Sequence, residues 1–129
     1  MFRTVRFAYA GDLEWTFDEN GDPVLPGGKA LTLDIATALA SAAGPVPDVD
    51  QHSYYGWAFA WRSGNGSFFH VLNAGDDEVY LTVDMWAAFL KRLLLQRPAA
   101  AFDRHCARLE TVLAAIPGVS NVRWETGRG

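Results

Sequence analysis

The sequence has little cysteine, no long apolar run and no excess of positive charge, and each absence excludes a class of protein. Its 129 residues include one cysteine, Cys106, which cannot form an internal disulfide and suits a reducing compartment. No stretch approaches the roughly 18 apolar residues of a membrane helix, and residues 1–6 lack the apolar core of a signal peptide. We therefore expect a cytoplasmic protein that does not enter a membrane.

The charge balance argues against nucleic acid as a partner. Eleven basic and fifteen acidic residues give a formal net charge of −4, whereas sequence-independent binding to phosphates needs an excess of positive charge. Hydrophobic residues make up 50% of the chain, which is typical of a globular protein and excludes a disordered one. No Pro- or Ser-rich linker interrupts the chain, so residues 1–129 are predicted to form a single α+β domain.

Alternating apolar and polar residues predict the strands of a sheet. Residues 4–9 and 13–17 both alternate and are separated by a short loop with glycine, so we expect them to pair as a hairpin. A three-stranded meander is expected where three further alternating runs are joined by turn residues, at 55–61, 68–72 and 79–83. A last strand is predicted near residues 119–125.

Three segments have helical periodicity. The first begins at Lys29 and ends where Gly44 and a following proline stop it. The second is predicted to begin at Asp84 as its N-cap and to end before Pro98, and the third ends before Pro117. We therefore predict an α+β fold with the order ββ-α-βββ-αα-β, in which three helices cover an antiparallel sheet.

The sequence shows no strong metal-binding or catalytic motif. The acidic turn at residues 18–22 begins like a calcium loop, but Pro23 occupies the required glycine position and Lys29 the required glutamate position. His52, His70 and Cys106 are too scattered for a zinc site, and His105, although next to Cys106, points about 100° away from it on a helix. Cys106 belongs to an apolar helical stripe, which predicts a core residue rather than a nucleophile. We expect no metal and no cofactor.

Two groups of residues are candidates for contact with a partner. Five carboxylates lie within eleven residues that contain no basic residue: Asp12, Glu14, Asp18, Glu19 and Asp22. Such crowding opposes folding, so it indicates either a solubilising surface or a contact for a basic partner. The aromatic row of the strand at 55–61 is predicted to pack under helices, while Tyr55 and Trp61 at its ends expose an edge.

These features favour a non-enzymatic protein-binding module. We expect it to bind another protein, in particular a basic one, in the manner of a bacterial immunity protein or inhibitor. Two alternatives stay open. One is a small enzyme or ligand-binding domain with a pocket lined by His52, Tyr54 and His70. The other is a homo-oligomeric structural subunit.

Overall fold

The fold is α+β, which confirms the predicted class. The structure, a computed structural model, describes residues 2–41, 45–52, 56–63, 66–86 and 98–125. These residues form eight strands and two helices, which are β1 (Phe2–Tyr9), β2 (Thr16–Phe17), β3 (Pro23–Leu25), α1 (Lys29–Ala40), β4 (Asp50–His52), β5 (Gly56–Ser63), β6 (Gly66–Ala74), β7 (Val79–Trp86), α2 (Pro98–Ala115) and β8 (Val119–Trp124).

Six strands form the main sheet, in the order β4-β5-β6-β7-β1-β8, and each neighbouring pair is antiparallel. The predicted meander is confirmed, because β5, β6 and β7 are consecutive both in the chain and in the sheet. The predicted last strand is confirmed as β8, which pairs with β1. The expected alternation therefore identified the centre of the sheet and one of its edges.

The predicted hairpin between the first two strands is wrong. Strand β1 pairs with β7 on one side and with β8 on the other, so neither of its edges is left for residues 13–17. Its residues Val5 and Phe7 are completely buried, as expected for a strand that is paired on both sides. Strand β2 pairs instead with β3 in a separate two-stranded sheet.

The core lies between one face of the main sheet and the two helices. The sheet contributes buried residues of β1, β5, β6 and β7, and Trp57 and Phe59 are buried as predicted, with 6% and 2% of their surface exposed. The apolar stripes of α1 and α2 contribute Leu31, Ile35, Leu39, Phe102, Cys106, Leu109 and Leu113. Neither helix of the described chain is both long enough and apolar enough to span a membrane.

The expected number of helices differs from the structure, since the described residues contain two helices rather than three. Asp84 does not cap a helix: it lies within β7 and pairs with Phe2 and Phe69. Met85, which falls within the predicted second helix, lies instead on the buried side of β7. The rest of the predicted second helix, residues 87–97, lies outside the described residues.

Two histidines form a hydrogen-bonded pair inside the core. His70 of β6 is completely buried, His105 of α2 is buried, and their Nε2 atoms lie 2.7 Å apart. The other ring nitrogen of His70, Nδ1, lies 3.2 Å from the carbonyl oxygen of Phe59, and only a protonated nitrogen can donate to a carbonyl. In the neutral pair, His70 therefore donates from Nδ1 and accepts the Nε2–H of His105 at its own Nε2.

Burial keeps both imidazoles neutral. Burial and the neighbouring His105 lower the pKa of His70 to about 3, while burial and the charge of Arg108 lower the pKa of His105 to about 4. A histidine in the unfolded chain has a pKa of about 6.5. Below that pH the unfolded chain binds protons that the folded chain excludes, so the folded state loses stability as the pH falls from about 6.5 to about 4.

We predict that lowering the pH from about 7.5 to about 5 decreases the free energy of unfolding by about 2 kcal/mol for each histidine of the pair. Urea denaturation at a series of pH values measures the effect. The double variant H70L/H105L removes both buried groups and should lose most of this pH dependence. As a control, H52L changes a histidine on the exposed strand β4 and should retain it. Equal pH dependence in the wild type and the double variant would contradict a neutral buried pair.

Candidate functional site

The chain between β1 and α1 forms an arm outside the main sheet. Residues 11–25, called the acidic arm below, contain β2 and β3. The arm carries five of the chain's fifteen acidic residues and none of its eleven basic residues. The structure exposes all five of these sequence-predicted carboxylates, at Asp12, Glu14, Asp18, Glu19 and Asp22. The predicted acidic surface is therefore one continuous segment of the chain.

Two hydrogen bonds hold the acidic arm where it meets residues 26–28, which are called the base of the arm below. The backbone N–H of Gly28 donates to the carbonyl oxygen of Leu13 at 2.7 Å. The indole Nε1–H of Trp57 donates to the carbonyl oxygen of Pro26 at 2.9 Å. Because Trp57 is a buried residue of β5, this second bond joins the arm to the core of the sheet. The arm is thereby held in a defined position.

Two glycines allow the base of the arm to pack closely. Gly28, directly before α1, has a φ of 107°, and a Cβ at this position would lie 2.6 Å from the side chain of Leu72. A Cβ on Gly27 would lie 2.6 Å from the indole nitrogen of Trp15. Any other residue at Gly28 would be strained by its backbone conformation as well as by this contact. Trp15 consequently lies directly against the base of the arm.

Two of the five carboxylates shape the arm itself. Oδ1 of Asp18 accepts the backbone N–H groups of Asn20 and Asp22, each at 2.9 Å, and so closes the turn between β2 and β3. Oδ1 of Asp12 accepts the N–H of Glu14 at 2.8 Å, and Glu14 has a φ of 60°. Among the described residues, no group pairs with the carboxylates of the other three, Glu14, Glu19 and Asp22. These three are free to contact a partner.

Apolar side chains are exposed on the same arm. Of the seven large hydrophobic residues found exposed in the described chain, four belong to the arm: Trp15, Phe17, Val24 and Leu25. The rings of Trp15 and Phe17 are stacked, with centroids 6.3 Å apart. Within the part of the chain that the structure describes, neither helix packs extensively against the two-stranded sheet, which is too small to bury these side chains by itself. The arm thus presents an apolar surface bordered by carboxylates.

A cavity opens beside this aromatic pair. Its volume is about 540 Å³, and its walls include Trp15 and Phe17. Two carboxylates also line it, Asp12 from the arm and Asp76 from the turn between β6 and β7. Asp76 is exposed, and no described residue pairs with its carboxylate. None of Trp15, Phe17 and Asp76 was predicted from the sequence to belong to a functional site.

The two aromatic residues predicted to expose an edge are placed differently. Trp61 is buried, with 7% of its surface exposed, and the guanidinium of Arg108 lies 5.9 Å from the centre of its ring. It cannot present an edge to a partner, because it faces the helices together with Phe59. Tyr55 lies outside the described residues.

The pocket suggested by His52, Tyr54 and His70 is not assembled from its described members. His52 pairs with Gly56, so its side chain lies on the sheet face opposite that of Phe59 and His70. His70 bonds to His105 inside the core, where it has no access to solvent. Tyr54 lies outside the described residues. The two histidines therefore cannot act on one substrate.

The structure offers no metal-binding group among its described residues, where no three histidine, cysteine or acidic side chains come together to hold an ion. Cys106 is buried in the core, as predicted, and burial raises the pKa of its thiol to about 11. A thiol with this pKa is protonated at neutral pH and is a weak nucleophile.

The sequence contains a signal for the histidine pair, although the pair itself was not predicted. His70 alternates with Phe68 and Leu72, and His105 lies on the stripe that includes Phe102 and Leu109. Both histidines thus occupy core-facing positions of their elements.

Comparison of the chain with protein-family models, curated proteins and solved structures found no match.

We predict that Asp18→Ala loosens the turn of the acidic arm, because it removes the acceptor of two backbone hydrogen bonds. A hydrogen bond of this kind contributes about 1 kcal/mol, so the amides of Asn20 and Asp22 should exchange with solvent about fivefold faster. Hydrogen exchange followed by NMR measures this change.

Two variants control this experiment. Asp18→Asn keeps a side-chain oxygen as acceptor and should retain most of the protection. Glu19→Ala removes a carboxylate of the same turn that accepts no such bond, and it should leave both amides unchanged. If Asp18→Ala and Glu19→Ala gave the same exchange rates, the structural role of Asp18 would be wrong.

Proposed function

We propose that this chain is a non-enzymatic protein-binding module whose acidic arm binds a basic protein. One observation carries the proposal: exposed apolar side chains and unpaired carboxylates occur together on one anchored segment. Trp15 and Phe17 supply the apolar part, and Glu14, Glu19 and Asp22 supply the charge. Neither component contributes to the core of the main sheet.

The exposed aromatic residues support binding to a protein. Large apolar patches bordered by polar residues on a soluble protein commonly mark interaction sites. Aromatic side chains are enriched at the centres of protein interfaces, where they fill pockets of the partner. With 36% and 56% of their surfaces exposed, Trp15 and Phe17 have area to bury against another molecule. The stacked pair therefore fits the central contact of an interface.

The charge of the arm supports a basic partner. The arm carries five negative charges, whereas the remainder of the chain has eleven basic and ten acidic residues and is nearly neutral. Such a local field speeds the encounter with a basic surface and is screened by salt over about 10 Å at 0.1 M. An inhibitor or immunity protein that covers a basic enzyme in a reducing cytoplasm would present a surface of this kind.

We predict that the triple variant E14K/E19K/D22K lowers the rate of association with the natural basic partner by about tenfold or more at low salt. These three carboxylates are exposed and are not used in the turn, so the fold should be retained. The partner is first captured with the wild-type protein and identified by mass spectrometry. Association rates are then measured with purified proteins at several salt concentrations.

A second triple variant makes the same change of charge elsewhere. D34K/D48K/E110K replaces three exposed carboxylates outside the arm, and we expect a decrease of less than about threefold. Circular dichroism and the melting temperature show whether both variants are folded. If the two variants slow association equally, net charge rather than the acidic arm is responsible, and the proposed function is wrong.

A further inference from the structure

Two arginines of this chain show how it holds a guanidinium group. The Nη2 atom of Arg3 lies 2.7 Å from the carboxylate of Asp103, and its Cζ lies 5.2 Å from the centre of the Phe102 ring. Arg6 repeats the arrangement with Glu78 and Tyr80. In both cases one carboxylate and one aromatic ring bind the same guanidinium.

The contacts of Arg6 have similar distances. Its Nη2 atom lies 2.8 Å from the carboxylate of Glu78, and its Cζ lies 5.4 Å from the centre of the Tyr80 ring. The Nε–H of Arg6 also donates to the same carboxylate at 2.9 Å. Both N–H groups converge on the same oxygen, Oε2, so one carboxylate oxygen holds the guanidinium at two of its nitrogens.

The cavity beside the acidic arm presents these two components without a cation. Trp15 and Phe17 provide the aromatic surface, and Asp12 and Asp76 provide the carboxylates. Among the described residues, none that lines the cavity is basic. A volume of about 540 Å³ exceeds that of a single side chain, so an arginine can enter together with part of the segment that carries it.

We infer that this cavity binds an arginine side chain of the basic partner. The inference rests on the proposed function and specifies the chemistry of its central contact. The guanidinium lies against the Phe17 and Trp15 rings and donates hydrogen bonds to Asp76. Asp12 adds a second negative charge at the same cavity.

Arginine suits this cavity better than lysine for two physical reasons. A guanidinium is planar and stacks on an aromatic ring, whereas an ammonium group is a compact and strongly hydrated point charge. A guanidinium also presents paired N–H groups that match the two oxygens of a carboxylate. The cavity should therefore discriminate between the two cations, although both carry one positive charge.

The test uses three synthetic peptides of equal length and spacing that carry arginine, lysine or citrulline at the same positions. Citrulline has nearly the shape of arginine but no charge. Dissociation constants are measured with the full chain by NMR titration, in which the indole N–H signal of Trp15 reports on the cavity. We expect the arginine peptide to bind at least about threefold more tightly than the lysine peptide, and the citrulline peptide at least about tenfold more weakly than the arginine peptide.

Matched variants locate the binding site. F17L/D76N changes one ring and one carboxylate of the cavity and should weaken binding of the arginine peptide about tenfold. F2L/D77N makes the same two types of change outside the cavity. Phe2 is an exposed residue of β1, and Asp77 follows Asp76 in the turn between β6 and β7; neither lines the cavity. We expect this control to bind within about twofold of the wild type.

The outcomes separate this inference from the proposed function. If F17L/D76N and F2L/D77N bind the arginine peptide equally, the arginine site is wrong. In that case a loss of binding in E14K/E19K/D22K would still support the acidic arm as a binding surface. Equal binding of the arginine and lysine peptides, or no binding of the arginine peptide at about millimolar concentration, would also overturn the inference.

Discussion

The position of β1 between β7 and β8 is the constraint on which the rest of the structure depends. Both edges of β1 are hydrogen-bonded, so the chain that follows it cannot add another strand beside it. Residues 11–25 consequently leave the main sheet, and among the described strands β2 and β3 pair only with each other. A sheet of two short strands has no core of its own. Its apolar residues remain exposed, which is how the topology of the sheet produces the surface that we propose for binding.

An exposed arm that is ordered before the partner arrives loses less conformational entropy on binding. Free segments that order on binding lose conformational entropy, which weakens the complex. Here the bond from Trp57 to Pro26 and the close contact at Gly28 attach the arm to residues buried in the core. The turn at Asp18 orders the far end of the arm. The same core that stabilises the fold therefore positions the surface that we propose for binding.

The sequence predicted the parts of the fold that depend on local pattern. Alternation identified β5, β6 and β7, and the acidic residues of the arm are exposed as expected. Pairing between distant strands was not predictable in this way, because nothing in residues 13–17 shows that β8 occupies the edge of β1. The same alternation suits a core strand and an exposed one, so Trp15 and Phe17 gave no sign of their exposure.

The candidate site was predictable in its charge but not in its shape. Asp12 and Asp76 are 64 positions apart in the sequence, and only the fold brings them to one cavity. The function of Asp18 within a turn could be anticipated, since aspartate commonly accepts hydrogen bonds from the backbone two residues ahead. The separation of His52 from His70 could not be predicted from the sequence, because it depends on the register between β4 and β5.

The charge of the arm also bears on what it binds. Short exposed strands with apolar side chains tend to pair with copies of themselves, and acidic neighbours oppose that pairing by repulsion. Phe17 is followed directly by Asp18 and Glu19, and Pro23 at the start of β3 lacks a backbone N–H donor. Two acidic arms would repel each other, whereas a basic surface would be attracted to either of them. This repulsion supports our proposal of a different protein, rather than a second copy of this chain, as the partner.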